Sequence, residues 1–364
     1  MKKYKSETTS TIIYSILILL LISTSISHAN ENILRIAGWD VYSDPLRKDK
    51  TIGYKSFEKK YNITIQFKPL NNLDAIIDFA ETDTNFDIFI ISNEGIRLLH
   101  DMDLVEELDL EKLPNYQSLH HNLRLSDWSM FNGSVFAVPW AWGPTGLLYN
   151  EDIIKNPVSW SVLWDPKYKG RVALWNDVSM IWTTALYLGY KNVYSLTRDQ
   201  LRHVKGKLLE LNKNVYGYYN GEEEELKFIL EKDVIAMNSW FDPSSRFKKK
   251  NLNFRMIIPD EGAVGMFDSY LIRKTSIHKE LSHKFIDHQI SPSIQKQMTN
   301  ITGLAPANIE TLSLMSGKEI KALHLDESDY FNKIILWDHM PRKHLYEKVI
   351  TEIRNDLKQR TGNQ

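Results

Sequence analysis

Between residues 33 and 91 the sequence alternates short apolar runs with amphipathic segments. The apolar runs at 33–37, 63–67 and 86–91 predict β-strands, and the segments between them, 52–61 and 73–81, have the spacing of helices with one apolar face. A chain that alternates apolar strands with helices forms a mostly parallel sheet that is covered by helices on both sides. The fold class is therefore α/β.

Polar and aromatic side chains follow the predicted strands of this region. Trp39 and Asp40 come directly after the first strand, and Glu94 comes shortly after the third. Ligands of open α/β sheets bind at the carboxyl ends of the strands. These three residues are therefore candidates for a binding site.

The rest of the chain continues the α/β pattern and is long enough for a second lobe. With 364 residues, the chain can bury two separate cores. The apolar runs at 135–148 and 264–272 predict strands that cross between the lobes. Shorter strands are predicted at 172–175, 234–239 and 254–258, and C-terminal helices at 278–289, 293–298, 308–315 and 346–359.

The first 29 residues have the pattern of a cleaved secretory signal peptide. Three lysines lie within the first five residues, an apolar stretch covers 12–22, and a small-residue site ends at Ala29. An uncleaved membrane anchor is the alternative, but a spanning helix needs about 20 apolar residues. We expect the mature chain to begin near Asn30, and because it has no cysteine to carry a lipid, we expect it in the periplasm.

Composition and missing motifs exclude several classes of function. The formal charge of -1 does not fit nucleic-acid binding, and a chain without cysteine has neither disulfides nor thiolate metal sites. Phosphate-binding, nucleophile-elbow and zinc-protease motifs are all absent, so we expect no cofactor and no catalysis. His283 and Asp287 are spaced to share a helix face, but without a third ligand we interpret them as a solvated face and expect no metal.

Five segments carry the most informative pattern in the chain. They are IAGWDVY at 36–42, VPWAWGPTG at 138–146, SWSVLWDPKYKG at 159–170, PDEG at 259–262 with FDS at 267–269, and TGLAPAN at 302–308. In order and spacing they resemble the periplasmic spermidine/putrescine-binding proteins of polyamine ABC transporters. The third segment is the most specific of the five.

The resemblance implies a type II periplasmic-binding fold of two α/β lobes with the ligand cleft between them. The boundaries that it suggests are lobe 1 from 30–137 and 268–303, and lobe 2 from 138–267 and 304–364. A protein of this family binds a polyamine and presents it to an inner-membrane permease, without catalysis and as a monomer.

The resemblance also implies which residues bind the ligand. Trp39 and Tyr42 match aromatic ligand positions of the first lobe, and Trp240 matches an aromatic wall. Asp177 matches a carboxylate of the second lobe, and Asp268 the carboxylate that holds an amine at the crossing strand. The chemistry is direct, because a desolvated ammonium group needs opposing charge and its methylene spacer favours ring faces.

Several family ligand positions differ in this chain. The acidic position between the first-lobe aromatics is Val41, with Asp40 one residue earlier; Met180 replaces a carboxylate, Met266 a Trp and Leu304 an aromatic residue. Glu94 stands near a position that is usually aromatic in the family. An acidic ligand position has therefore been relocated in this chain. These differences favour a shorter diamine or another small cation as the ligand. They leave open a different solute or a sensing variant without transport. The weakest alternative is a secreted hydrolase that uses Asp40 and Asp268.

Overall fold

The structure is a computed structural model that describes residues 32–39, 42, 52–240, 242–327 and 329–361. The predicted signal peptide at 1–29, Asp40 and Val41 lie outside the described residues. In this part of the chain, no helix is both long and apolar enough to cross a membrane.

The strands and helices alternate along most of the chain. The strands are β1 (Ile33–Trp39), β2 (Thr64–Leu70), β3 (Ile88–Ser92), β4 (Met130–Phe131), β5 (Ser134–Val135), β6 (Val138–Asn150), β7 (Val172–Trp175), β8 (Val215–Tyr219), β9 (Ala236–Trp240), β10 (Phe254–Ile257), β11 (Ala263–Ile272), β12 (Ala305–Pro306) and β13 (Ile334–Leu336). The helices are α1 (Tyr54–Tyr61), α2 (Leu73–Thr82), α3 (Asn93–Asp101), α4 (His121–Arg124), α5 (Ser179–Tyr187), α6 (Arg198–Leu211), α7 (Glu222–Lys232), α8 (Ser244–Lys248), α9 (Lys279–Gln289), α10 (Pro292–Thr302), α11 (Gly317–Ala322) and α12 (Lys343–Thr361).

The main sheet has two parallel halves joined by two antiparallel strands. Its order is β2-β1-β3-β11-β6-β9-β7-β8. Strands β2, β1 and β3 are parallel and form the first half, and β9, β7 and β8 are parallel and form the second half. This arrangement confirms the predicted α/β class with a mostly parallel sheet in each lobe.

Strands β6 and β11 pair with each other and join the two halves of the sheet. The first part of β6 pairs with β11, and its last part, from Thr145 onward, pairs with β9. Strand β11 pairs with β13 at its start and with β3 from Asp268 onward. Both strands are almost entirely buried, as expected for strands that have neighbours on each side. The predicted crossing strands are thus confirmed.

One local prediction differs from the structure, and several short strands were not predicted. The helix predicted at 308–315 is a short 3-10 segment, Ile309–Leu314, whose first turn is capped by the Asn308 side chain. Strand β8 was not predicted because Gly217 interrupts its apolar pattern, and β13 was not predicted because it has only three residues.

The most specific sequence motif, at 159–170, is a packing element of the second half. It forms two 3-10 turns, Trp160–Trp164 and Pro166–Tyr168. Trp160 is fully buried and its indole nitrogen donates to the Gly262 carbonyl at 2.9 Å, while the Asn214 amide donates to the carbonyl of Leu163 at 3.1 Å. The motif therefore stabilises the fold of the second half.

Candidate ligand-binding site

Asp268 lies where the two halves of the sheet meet. In the register of β11 it pairs with Ser92 of β3 on one side and with Ala141 of β6 on the other. The register with β6 shifts directly after Asp268, and such a bulge re-aims the side chains next to it. Asp268 is only 1% exposed. Its backbone is therefore fixed by strand pairing on both sides.

Two aromatic residues from the first half donate hydrogen bonds to this carboxylate. The Trp39 indole nitrogen donates to Asp268 Oδ1 at 3.0 Å, and the Tyr42 hydroxyl donates to Oδ2. Tyr42 is itself buried and packs edge-on against Trp140, with ring centroids 4.9 Å apart. Three of the predicted site residues are thus brought together around one carboxylate.

Glu94 provides a second carboxyl group next to Asp268. It lies in the first turn of α3, directly after β3, where the helix dipole favours negative charge. Burial raises the pKa of Glu94 to about 8, and the charge of Asp268 contributes to this shift. Burial also raises the pKa of Asp268 to about 6, although the hydrogen bonds from Tyr42 and Trp39 oppose the shift. Near pH 7 this pair therefore carries about one negative charge. We call Trp39, Tyr42, Glu94 and Asp268 the Asp268 cluster.

The second predicted carboxylate, Asp177, lies between β7 and α5 in the second half. Its Oδ2 accepts a hydrogen bond from the Trp240 indole nitrogen at 2.9 Å, and its Oδ1 accepts one from the Ser179 backbone at 2.8 Å. Burial raises the pKa of Asp177, while the bonds from Ser179 and Trp240 act in the opposite direction. Asp177, Ser179 and Trp240 form what we call the Asp177 cluster, which joins a half-buried carboxylate to an indole.

Trp337 contacts the Asp177 cluster and Asn93, the neighbour of Glu94, and the sequence analysis did not identify it. Its ring lies 5.2 Å from the Trp240 ring, at an interplanar angle of 87°, and 5.5 Å from the Trp182 ring. Its carbonyl accepts a hydrogen bond from the side-chain amide of Asn93, the neighbour of Glu94. The only available sequence signal was a tryptophan directly after the short apolar run of β13.

Three of the family positions that differ in this chain hold buried apolar side chains, and the fourth, Val41, lies outside the described residues. Met180 is 1% exposed, Leu304 is 3% exposed and Met266 is 9% exposed. At these positions the side chains supply apolar surface and no fixed charge. In the described part of the chain, the candidate carboxylates are therefore Asp268, Glu94 and Asp177.

His283 and Asp287 hold loops in place, so their interpretation as a solvated face is wrong. His283 is 3% exposed; its Nε2 accepts a hydrogen bond from the Asp109 backbone at 3.0 Å, and its Nδ1 lies 2.7 Å from the Lys279 carbonyl. Asp287 accepts a hydrogen bond from the Asn115 backbone at 2.9 Å. No group of three or more possible metal ligands was found among the described residues.

The chain is similar to known polyamine-binding proteins along most of its length. It is 22% identical over 303 residues to the spermidine/putrescine-binding periplasmic protein of Escherichia coli K12. The alignment covers 82% of this chain and 84% of that protein. It is also 22% identical over 320 residues to the putrescine-binding periplasmic protein PotF of the same strain, with the same two coverages.

Solved structures show the same fold, and a family model covers most of the chain. The substrate-binding protein PotD of a Streptococcus pneumoniae spermidine/putrescine ABC transporter superposes with a TM-score of 0.76 at 22% identity, covering 90% of this chain and all of that one. The family model described as bacterial extracellular solute-binding protein matches residues 54–322. These matches confirm the resemblance drawn from the sequence motifs, and the chain belongs to the bacterial extracellular solute-binding protein family.

Proposed function

We propose that this protein binds a small polyamine in the periplasm and delivers it to the permease of an ABC transporter, without catalysing a reaction. The observation that carries the proposal is Asp268, a buried carboxylate that two aromatic side chains orient at the junction of the two halves. The names of the relatives support the choice of ligand.

The charges around the site favour a cation over an anion. A desolvated ammonium group requires a carboxylate partner. Asp268 and Asp177 each accept a hydrogen bond from an indole, and the charge of Asp268 acts on Glu94. Two cations lower the pKa of these acids, Arg354 that of Asp177 and Lys343 that of Glu94, and each of them also makes a contact elsewhere. Arg354 donates to the Asn176 carbonyl at 2.8 Å, and Lys343 pairs with Asp74 at 3.2 Å.

Ligand contacts to both clusters would favour closure of the lobes. A ligand shifts a conformational equilibrium only by its difference in affinity for the two states. An amine bound by Asp268 and a second amine bound by Asp177 supply that difference, because both contacts exist together only in the closed state. We assign lobe 1 to 30–137 and 268–303, and lobe 2 to 138–267 and 304–364.

The cellular setting is part of the same proposal. The predicted signal peptide at 1–29 and the periplasmic relatives support export to the periplasm. We further propose that the mature protein acts as a monomer that docks on an inner-membrane permease.

Thermal unfolding of the mature protein with candidate ligands tests this function. Putrescine, spermidine and spermine form the test set, and amino acids, thiamine and sugars form the control set. A ligand at 100 times its dissociation constant stabilises the native state by about 2.7 kcal/mol. Stabilisation by polyamines alone is the expected result. Stabilisation by a control solute, or by none of the compounds, would overturn the polyamine assignment.

A further inference from the structure

We propose that a groove on the second half of the molecule binds a small anion that carries two or more negative groups, such as a tricarboxylate or a short polyphosphate. Its walls are the 3-10 turns of the motif at 159–170, the end of α6, the start of β8 and the last turn of α12. The volume of about 800 Å³ lies within the range of small-molecule sites. We call it the basic groove, and its role goes beyond the proposed polyamine function.

The basic groove lies at the amino ends of β7 and β8, away from the candidate ligand-binding site. Val215, which lines the groove, begins β8 and pairs with Val172, the first residue of β7. Strand β7 ends at Trp175, two residues before Asp177. The length of this strand, roughly 10 Å, therefore separates the groove from the Asp177 cluster. A ligand in the groove does not compete with an amine for the carboxylates of the candidate site.

Basic side chains outnumber acidic ones in the groove. The charged lining residues are Lys169, Lys207, Lys213 and Arg360, with Glu210 as the acid among them. Helices α6 and α12 also end at the groove, and the carboxyl end of a helix carries about half a negative charge. The lining side chains and the two helix ends together still carry about two positive charges. A concave surface of one sign concentrates ions of the opposite sign.

Two of the four cations are not paired within the protein. The Lys207 ammonium pairs with Glu210 at 2.6 Å, and Arg360 pairs with an acid of its own helix at 2.9 Å. The side chains of Lys169 and Lys213 are exposed and have no hydrogen-bond or ion-pair partner among the described residues. A single exposed ion pair contributes only about 0 to 1 kcal/mol. Tight binding therefore requires an anion that contacts both lysines at once.

Buried asparagine side chains hold the walls of the groove together. The Asn212 amide donates to the Ile353 carbonyl at 3.0 Å, which joins the end of α6 to α12. The Asn214 amide donates to the Asp165 carbonyl at 2.9 Å, which joins the start of β8 to the motif at 159–170. Both asparagines are buried. The walls are thus pre-organised, and pre-organisation lowers the free-energy cost of binding.

Trp164 gives the groove an aromatic side. Its indole nitrogen donates to the Lys207 carbonyl at 3.0 Å, and its ring stacks on Tyr187 with the centroids 4.4 Å apart. These contacts fix the ring, which is half-buried and lines the groove. The carbon skeleton of an organic anion can pack against this ring, whereas an inorganic anion uses the cations alone.

Calorimetric titration of the mature protein with citrate, pyrophosphate and acetate tests the inference. Low ionic strength is required, because salt screens exposed charges. We expect citrate, pyrophosphate or both to bind at one site per chain. Acetate should bind at least about tenfold more weakly, because its single charge contacts only one lysine. The arm that binds distinguishes a carboxylate ligand from a phosphate ligand.

A double variant, Lys169→Gln with Lys213→Gln, removes the two unpaired charges. We expect it to lose at least about tenfold in affinity for the anion, because two charge-assisted contacts are lost. The matched control is Lys249→Gln with Lys250→Gln, which changes the net charge equally at two exposed lysines outside the groove. The control should bind within about twofold of the wild type.

Three results would overturn the basic groove as a binding site. They are no binding of citrate or pyrophosphate to the wild type, an affinity for acetate equal to theirs, and an equal loss of affinity in the two double variants. The outcome is separate from the polyamine proposal, because the probes are anions and the groove lies at the other edge of the sheet from the Asp177 cluster.

Discussion

The Asp268 cluster and the Asp177 cluster contain the same pair of side chains, a carboxylate and an indole, but differ in the groups that surround the carboxylate. Each joins a carboxylate to an indole nitrogen, at 3.0 Å for Trp39 and 2.9 Å for Trp240, but Asp268 is buried and Asp177 only half-buried. Asp177 also accepts a backbone N–H at the start of α5. Asp268 has only side-chain donors in the described part of the chain, and it shares its surroundings with Glu94.

This difference indicates how much each carboxylate depends on the ligand. The backbone N–H at the start of α5 stabilises the charge of Asp177 before any ligand arrives. Asp268 is more deeply embedded, and its pKa of about 6 and that of Glu94 of about 8 show that negative charge is costly there. A bound cation therefore gains more at the Asp268 cluster than at the Asp177 cluster.

Replacement of Asp268 should have the largest effect on binding. Asp268→Asn keeps the shape but removes the charge, and loss of one partner of a buried charge pair costs about 2 to 5 kcal/mol, or roughly 30-fold to several thousand-fold in affinity. Calorimetric titration with putrescine measures the loss, and circular dichroism controls for folding. A folded Asp268→Asn variant that binds putrescine within about threefold of the wild type would contradict the larger contribution of the Asp268 cluster.

The pH dependence of binding should show the next largest effect. The amines of the ligand stay protonated between pH 5 and 8, because their pKa lies near that of lysine. Below pH 6, Asp268 and Glu94 hold protons that a bound cation must displace. Affinity for putrescine should therefore rise by at least about tenfold from pH 5 to pH 8.

Glu94→Gln isolates the part of this profile that belongs to Glu94. Because the pKa of Glu94 is about 8, the variant should lose the rise in affinity between pH 6 and 8 and keep the rise below pH 6. Glu210→Gln, an exposed acid on α6, is the matched control. Identical profiles for the Glu94 variant and the wild type would contradict the assignment of Glu94 to the Asp268 cluster.

Replacement of Asp177 should weaken binding less than replacement of Asp268. Asp177→Asn removes one charge-assisted contact, which is worth about 1.5 to 3 kcal/mol, and we expect a loss near the lower end, about tenfold. The reason is that the backbone donor at Ser179 already stabilises this charge without ligand. An Asp177 variant that loses as much affinity as the Asp268 variant would show that the two clusters contribute equally.

Removal of the Tyr42 hydroxyl should have the smallest effect. The hydrogen bond from Tyr42 lowers the pKa of Asp268, so Tyr42→Phe should raise that pKa further. We expect putrescine affinity to fall by about threefold at pH 6 and by less than about twofold at pH 8, where Asp268 is charged in either case. The two titrations at different pH values measure this; an equal loss at both would indicate a packing role for Tyr42.

The sequence predicted the parts of the fold that have a strong local pattern. The strands of the first half and the two crossing strands were recognisable because their apolar runs are long and separated by amphipathic helices. Strands β8 and β13 were missed because a glycine and a length of three residues leave too little pattern. Short elements of this kind form through pairing with distant strands and not through their own propensity.

The candidate site was only partly predictable for a similar reason. The family motifs located Trp39, Tyr42, Asp177, Trp240 and Asp268, which the structure brings into two clusters. No local pattern links Trp337 to Trp240 or to Asn93, because these contacts join distant parts of the chain. Proximity of this kind becomes visible only once the path of β13 beside β11 is known.

The pairing of β3 with β11 also has a consequence for how the protein is made. Ser92 finds its partner only when Asp268 has been synthesised, so the first half of the sheet stays incomplete until most of the chain exists. Contacts between such distant residues slow folding, because a long loop must close before they contribute stability. A chain cut short before β11 lacks the strand that joins the two halves. Synthesis must therefore pass β11 before the two halves of the sheet can be joined.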